Sequence, residues 1–90
     1  MNVENLSPLN RDLLAEAMPQ GELVNVLYSN GQRLDAGFSR ERRCFALGER
    51  GWLAFMGWDA APAAGVRFCR SRWALTAEAL DALSAGPLHA

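Results

Sequence analysis

The sequence contains no lysine and no isoleucine, and threonine, histidine and tyrosine occur once each. The lone histidine, His89, lies in a short tail and leaves no histidine-based dyad or triad, which removes the commonest acid–base designs. The two cysteines, Cys44 and Cys69, are far apart, and each sits among core-type residues. They read as reduced, buried thiols, although spacing alone does not decide whether they pair. No pair of cysteines or acids has metal-ligand spacing, and no glycine-rich loop has phosphate-loop spacing. No apolar run approaches the roughly 20 residues needed to cross a bilayer. The amino-terminal segment, carrying Glu4 and Asp12, lacks the basic-then-apolar pattern of a secretory leader. These absences lead us to expect a cytoplasmic protein that is not an enzyme, with no cofactor, no bound metal and no membrane partner.

What is there fits one globular domain spanning residues 1–90, with 1–6 and 86–90 as frayed ends. Half of the 90 residues are apolar and 21% are charged, as in ordinary folded chains. Alanine, leucine, glycine and arginine abound, which is the codon bias of a GC-rich bacterial genome or of a phage or mobile element living in one. The formal charge is −1, but it is unevenly spread. Residues 33–72 hold eight arginines against Asp35, Glu41, Glu49 and Asp59, a local balance of +4. The remainder sets Arg11 against six acids, a balance of −5. Segregated charge creates a signed field on one face even when the total is near zero.

Along the chain, Ser7-Pro8 is a helix start, because serine caps the orphan amides and proline suits the first helical position. Leu9, Leu13, Leu14, Ala17 and Met18 recur at helical spacing, and Pro19 and Gly21 end the element. Residues 22–38 then switch to a period of two. Asn30-Gly31 marks a tight turn, so this segment reads as two antiparallel strands, the second over 32–38. Ser39 is expected to cap a second helix over 39–51. On that helix Leu47, Gly51, Cys44, Gly48, Trp52 and Phe45 fall within an arc of ~160°. Arg42, Arg43, Ala46 and Arg50 fall opposite, and Glu41 is placed in the first turn. Arg40, Arg42 and Arg43 would sit near the positive end of the helix dipole, a mildly unfavourable placement that hints at anion binding.

Residues 52–58 read as a short strand, 59–65 as a flexible connection and 66–75 as a returning strand. Alternation puts Cys69, Trp73 and Leu75 on one face of the returning strand and Arg70 and Arg72 on the other, with Arg67 near the connection. Thr76 caps a last helix, stapled by Leu75 and Leu80 and continued by Leu83. Cys44, flanked by arginines, could have a lowered pKa, but its place on the apolar arc favours core packing. Trp52, Trp58 and Trp73 read as core, except that Trp58, beside the connection, could be exposed and anchor a partner.

The order helix, strand pair, helix, strand–loop–strand and WALTAEALDAL resembles winged-helix proteins. The resemblance rests on Trp73, Leu75, Thr76, Leu80 and Leu83, and upstream on FALGERGWL, where a helix passes through glycine into the first wing strand. It covers residues 38–83. One departure matters: a single helix preceded by an Asn-Gly hairpin stands where two helices would form the helix-turn-helix. The small bacterial toxin-like YjhX family shares that variation in outline. The fold expected is therefore α+β and winged-helix-like: helix, β-hairpin, helix, β-hairpin wing, helix.

The resemblance implies a DNA-binding module, such as a small transcription regulator. Arg40, Arg42, Arg43 and Arg50 would come from the second helix and Arg67, Arg70 and Arg72 from the wing, meeting double-stranded DNA. The alternative is a protein-interaction module acting on a host protein, an inhibitor or toxin-like protein using Trp58. Homodimers are common among winged helices. Charge geometry separates the two readings: the arginines on one open surface favour DNA, and the same groups paired with carboxylates do not.

Overall fold

The computed structural model describes the backbone of residues 1–63 and 66–85, with side chains for 1–58 and 69–85. Among these residues it forms an α+β fold. A 3-10 turn (Val3–Asn5) precedes α1 (Pro8–Ala17), β1 (Glu22–Ser29), β2 (Gln32–Arg33), α2 (Asp35–Glu49), β3 (Leu53–Ala63), β4 (Val66–Leu75) and α3 (Ala77–Ala85). The strands make one antiparallel sheet in the order β2-β1-β4-β3. No helix among the described residues is long and apolar enough to cross a membrane.

Several elements form for the local reasons their sequences supply. Ser7 Oγ accepts the Asn10 amide at 3.2 Å, with Pro8 at the first helical position of α1. Asn30 and Gly31 both have positive φ, +54° and +77°, the pair of values a tight primed hairpin turn requires. Thr76 Oγ accepts the Ala79 amide at 3.1 Å and donates to the Gly51 carbonyl at 2.6 Å, so one hydroxyl caps α3 and ties it to the end of α2. The start of the chain is anchored rather than frayed at Leu6, which is buried in the main core. Leu9, assigned to the apolar face, is instead exposed.

Three boundaries differ from expectation. The second strand of the first hairpin is only two residues long, and the chain turns at once into α2. Ser39 is therefore an exposed residue inside the helix, not its cap, and Leu34 at the cap position offers no side-chain hydrogen bond. The reason lies at Gly37. A Cβ there would meet the Val26 carbonyl oxygen at 1.8 Å, so its absence lets the first turns of α2 press against β1. Asp35 takes the first-turn position where an acid is favoured, and Arg40, Arg42 and Arg43 lie beyond it, away from the dipole's positive end. The third difference is in the second hairpin. β3 does not stop at Trp58 but runs on to Ala63, which pairs with Val66. Pro62 is tolerated because β3 is an edge strand. Residues 86–90, expected to fray, lie outside the described residues.

The sheet packs one face against the helices. On β1 the inward residues are Leu23, Asn25 and Leu27, and on β4 they are Ser71, Trp73 and Leu75. Register sets Leu23 opposite Trp73 and Asn25 opposite Ser71. The core joins these strands to Leu13, Leu14 and Ala17 of α1, Cys44 and Leu47 of α2, and Ala79 and Leu83 of α3. Gly37→Ala is expected to destabilise the fold by ~3 kcal/mol, because the methyl would meet backbone rather than a side chain that can move aside. Urea unfolding measures this, and a loss of under ~1 kcal/mol would show that α2 can lift off β1.

Candidate functional site

The polar interior sets where the surface groups stand. Glu41 lies in the middle of α2 and is only 5% exposed. Its Oε1 accepts three hydrogen bonds: from Ser71 Oγ at 2.6 Å, Trp73 Nε1 at 2.7 Å and Asn25 Nδ2 at 2.9 Å. Asn25 Nδ2 also approaches Cys44 Sγ at 3.5 Å, and Asn25 Oδ1 accepts from Arg40 Nε at 3.1 Å. Arg40 in turn reaches Glu16 of α1 at 3.0 Å. A continuous chain of contacts thus runs from the surface of α1, through α2, to the two central strands. Glu41 Oε2 is buried with no hydrogen-bond partner among the described residues.

Glu41 is thus neither a first-turn residue nor a surface one. Burial pushes the Cys44 thiol above its ordinary range, in keeping with the core packing read from its place on the apolar arc. The Asn25 hydrogen bond, Arg40 and Arg43 oppose that shift without overcoming it, and Glu41 adds to it. A thiol whose folded-state pKa is raised keeps its proton. The associated stability is present below the ordinary thiol range and is lost as pH rises through the raised value. Both cysteines are free: Cys44 is buried and Cys69 half-buried.

The arginines do not converge. Arg40 is committed to Glu16 and Asn25. Arg72 pairs with Glu22 through two contacts to Glu22 Oε1, at 2.8 and 3.1 Å. Both were expected to meet nucleic acid; each instead closes on a carboxylate of α1 or β1. Arg70 and Arg72 also alternate with the inward Ser71 and Trp73, so they leave the sheet on the face away from α2. The side chain of Arg67 lies outside the described residues. Arg42, Arg43 and Arg50 remain. They share the outer side of α2 and carry no ion pair among the described residues. A polar cleft of about 350 Å³ lies beside the paired groups, lined by Glu16, Gln20, Glu22, Leu23, Val24, Arg40 and Arg72. Its charges are already matched within the protein.

On the α2 side of the sheet, the second hairpin presents aromatic rings. Phe45 stacks on Phe55, with centroids 6.4 Å apart, and meets Trp73 edge-on at 5.0 Å. Phe55 in turn contacts Trp58 at 5.4 Å. Trp73 and Trp52 are buried, whereas Phe45, Phe55 and Trp58 are 51%, 43% and 53% exposed. Trp58 was singled out from the sequence. Phe45 and Phe55 were not, because an arc count assigned Phe45 to the core and Phe55 lay in an apolar strand. No group of three His, Cys, Asp or Glu side chains among the described residues is placed to hold a metal ion. The chain matches no family model, no curated protein and no solved structure.

Glu41→Ala is expected to cost ~3 kcal/mol or more, since it strands three buried donors at once. Glu41→Gln keeps an acceptor and should cost less. Denaturant unfolding followed by tryptophan fluorescence reads both, and equal costs would mean that hydrogen-bond acceptance is not what Glu41 supplies. In thiol labelling at neutral pH, Cys69 should react first and Cys44 only as the chain unfolds. Equal labelling rates in the folded protein would contradict the placement of Cys44.

Proposed function

We propose that this chain is a small protein-interaction module on a winged-helix-like frame, contacting its partner through the aromatic patch of α2 and β3. The observation that carries this reading is that Phe45, Phe55 and Trp58 touch one another in sequence while each stays about half exposed. Contiguous exposed rings cost hydration free energy and characteristically mark contact surfaces. Aromatic residues with an arginine beside them, here Arg42 one turn before Phe45, are the residue types that dominate binding energy at interfaces. The winged-helix frame is supported by the order α1–β1–α2–β3–β4–α3 and by β1 lying beside β4 with β3 outermost. The single helix α2 in place of a helix-turn-helix stands against it.

A second reading, double-stranded DNA, rests on a separate observation: exposed Arg42 and Arg50 and half-buried Arg43 share one side of α2 without carboxylate partners among the described residues. Three phosphate contacts predict a log–log salt slope of about −3 in a duplex titration. No duplex binding at low salt removes this reading. For the protein-interaction reading, Phe45→Ala and Trp58→Ala should each weaken partner capture at least ~10-fold, as expected of hot-spot truncation. Both side chains are half exposed, so the unfolding midpoint should change little. Capture that is indifferent to both substitutions would overturn the reading.

A further inference from the structure

We propose that the occupant of the aromatic patch is a second copy of this chain, docked through a two-fold antiparallel packing of α2 against α2. This rests on the reading that the patch binds protein, and it names the partner. Arg42, Phe45, Ala46 and Glu49 are all exposed, and at 100° per residue they fall within an arc of about 100° on α2. Their spacing is self-complementary. An axis passing between Phe45 and Ala46 sets Arg42 opposite Glu49 of the second copy, and Glu49 opposite Arg42 of the second copy. The same axis lays each Phe45 ring against the small Ala46 of the other copy. Within one helix Arg42 and Glu49 stand two turns apart, about 10 Å, so they do not satisfy each other. An isologous contact pairs both at once.

The adjoining sheet edge argues for docking by side chains rather than by strand addition. β3 is an edge strand, but its register shifts between Phe55 and Gly57, and Gly57 has φ of +113°. A bulge near the start of this edge, beside Phe55 and Trp58, breaks there the even row of backbone groups that an added strand would need. Phe55 and Trp58 instead extend the α2 surface sideways. Half-exposed, the three rings offer on the order of 300 Å² per copy. The α2 side chains bring this toward the roughly 500 Å² per partner that a specific interface requires.

The test is sedimentation velocity on the full chain over a range of concentrations, with circular dichroism to confirm folding of each variant. Wild type is expected to reach twice its 9.8 kDa monomer mass. Arg42→Glu and Glu49→Arg should each weaken the dimer at least ~10-fold by setting like charges face to face. Mixing the two variants in equal amounts should restore it, because every contact in the mixed pair is again opposite in sign. Phe45→Ala should weaken it whatever the charges. A wild-type chain that stays monomeric at every concentration overturns the proposal. So does a dimer indifferent to the single charge reversals, or one that mixing fails to restore. If wild type is monomeric while Phe45→Ala still abolishes capture of a host protein, the second-copy proposal falls and the interaction reading stands.

Discussion

One oxygen atom, Glu41 Oε1, holds the central elements in register. By accepting from Asn25, Ser71 and Trp73 it fixes a single rotation and height for α2 over β1 and β4. A buried polar group is costly unless it is satisfied, so positions of α2 that break these bonds are penalised far more than those that merely loosen apolar packing. Gly37 supplies the matching constraint from below, letting the backbone of α2 approach β1 where a methyl would collide. Phe45 lies one turn beyond Glu41 and Arg42 is its immediate neighbour. The exposed face of the helix therefore inherits its orientation from the buried one.

Much of this was legible in the sequence, and what was not has identifiable causes. Ser7-Pro8, Asn30-Gly31 and Thr76 act through local chemistry and appear where their residue types predict. The start of α2 was misplaced because Asp35 and Gly37 look like interruptions of a strand. The contact that makes them helical, with the carbonyl of Val26, is not encoded by near neighbours. Glu41 could have been found: the arc count that gathered Cys44, Gly48 and Trp52 also encloses position 41. Asn25 between Leu23 and Leu27, and Ser71 between Cys69 and Trp73, are polar residues at inward positions of two strands. Three such residues in separate elements signal that they satisfy one another, which is visible only when the elements are read together.

The arginines show the complementary limit. A one-dimensional count gathers eight of them into residues 33–72, yet Arg70 and Arg72 leave β4 on the face away from α2, and Arg72 shares with Arg40 only a cleft whose carboxylates already pair with both. The acids that balance Arg40 and Arg72 come from Glu16 and Glu22, outside that segment. Local charge balance therefore overstated the field on any one face. The aromatic surface was understated for a related reason. Apolar residues in a strand read as core, but β3 is the last strand of its sheet, and α2 does not extend over all of it.

The three-donor arrangement around Glu41 also bears on how this protein can change over evolutionary time. Exchanging the acid alone orphans an amide, a hydroxyl and an indole in two strands, so neutral drift at any one of the four sites is blocked until the others follow. Outward residues that belong neither to the ion pairs nor to the aromatic patch carry no such mutual obligation and can be rewritten freely. Distant kin should therefore be recognisable by an Asn on the first long strand, a mid-helix Glu and a Ser-x-Trp on the final strand, even where overall similarity has eroded below detection.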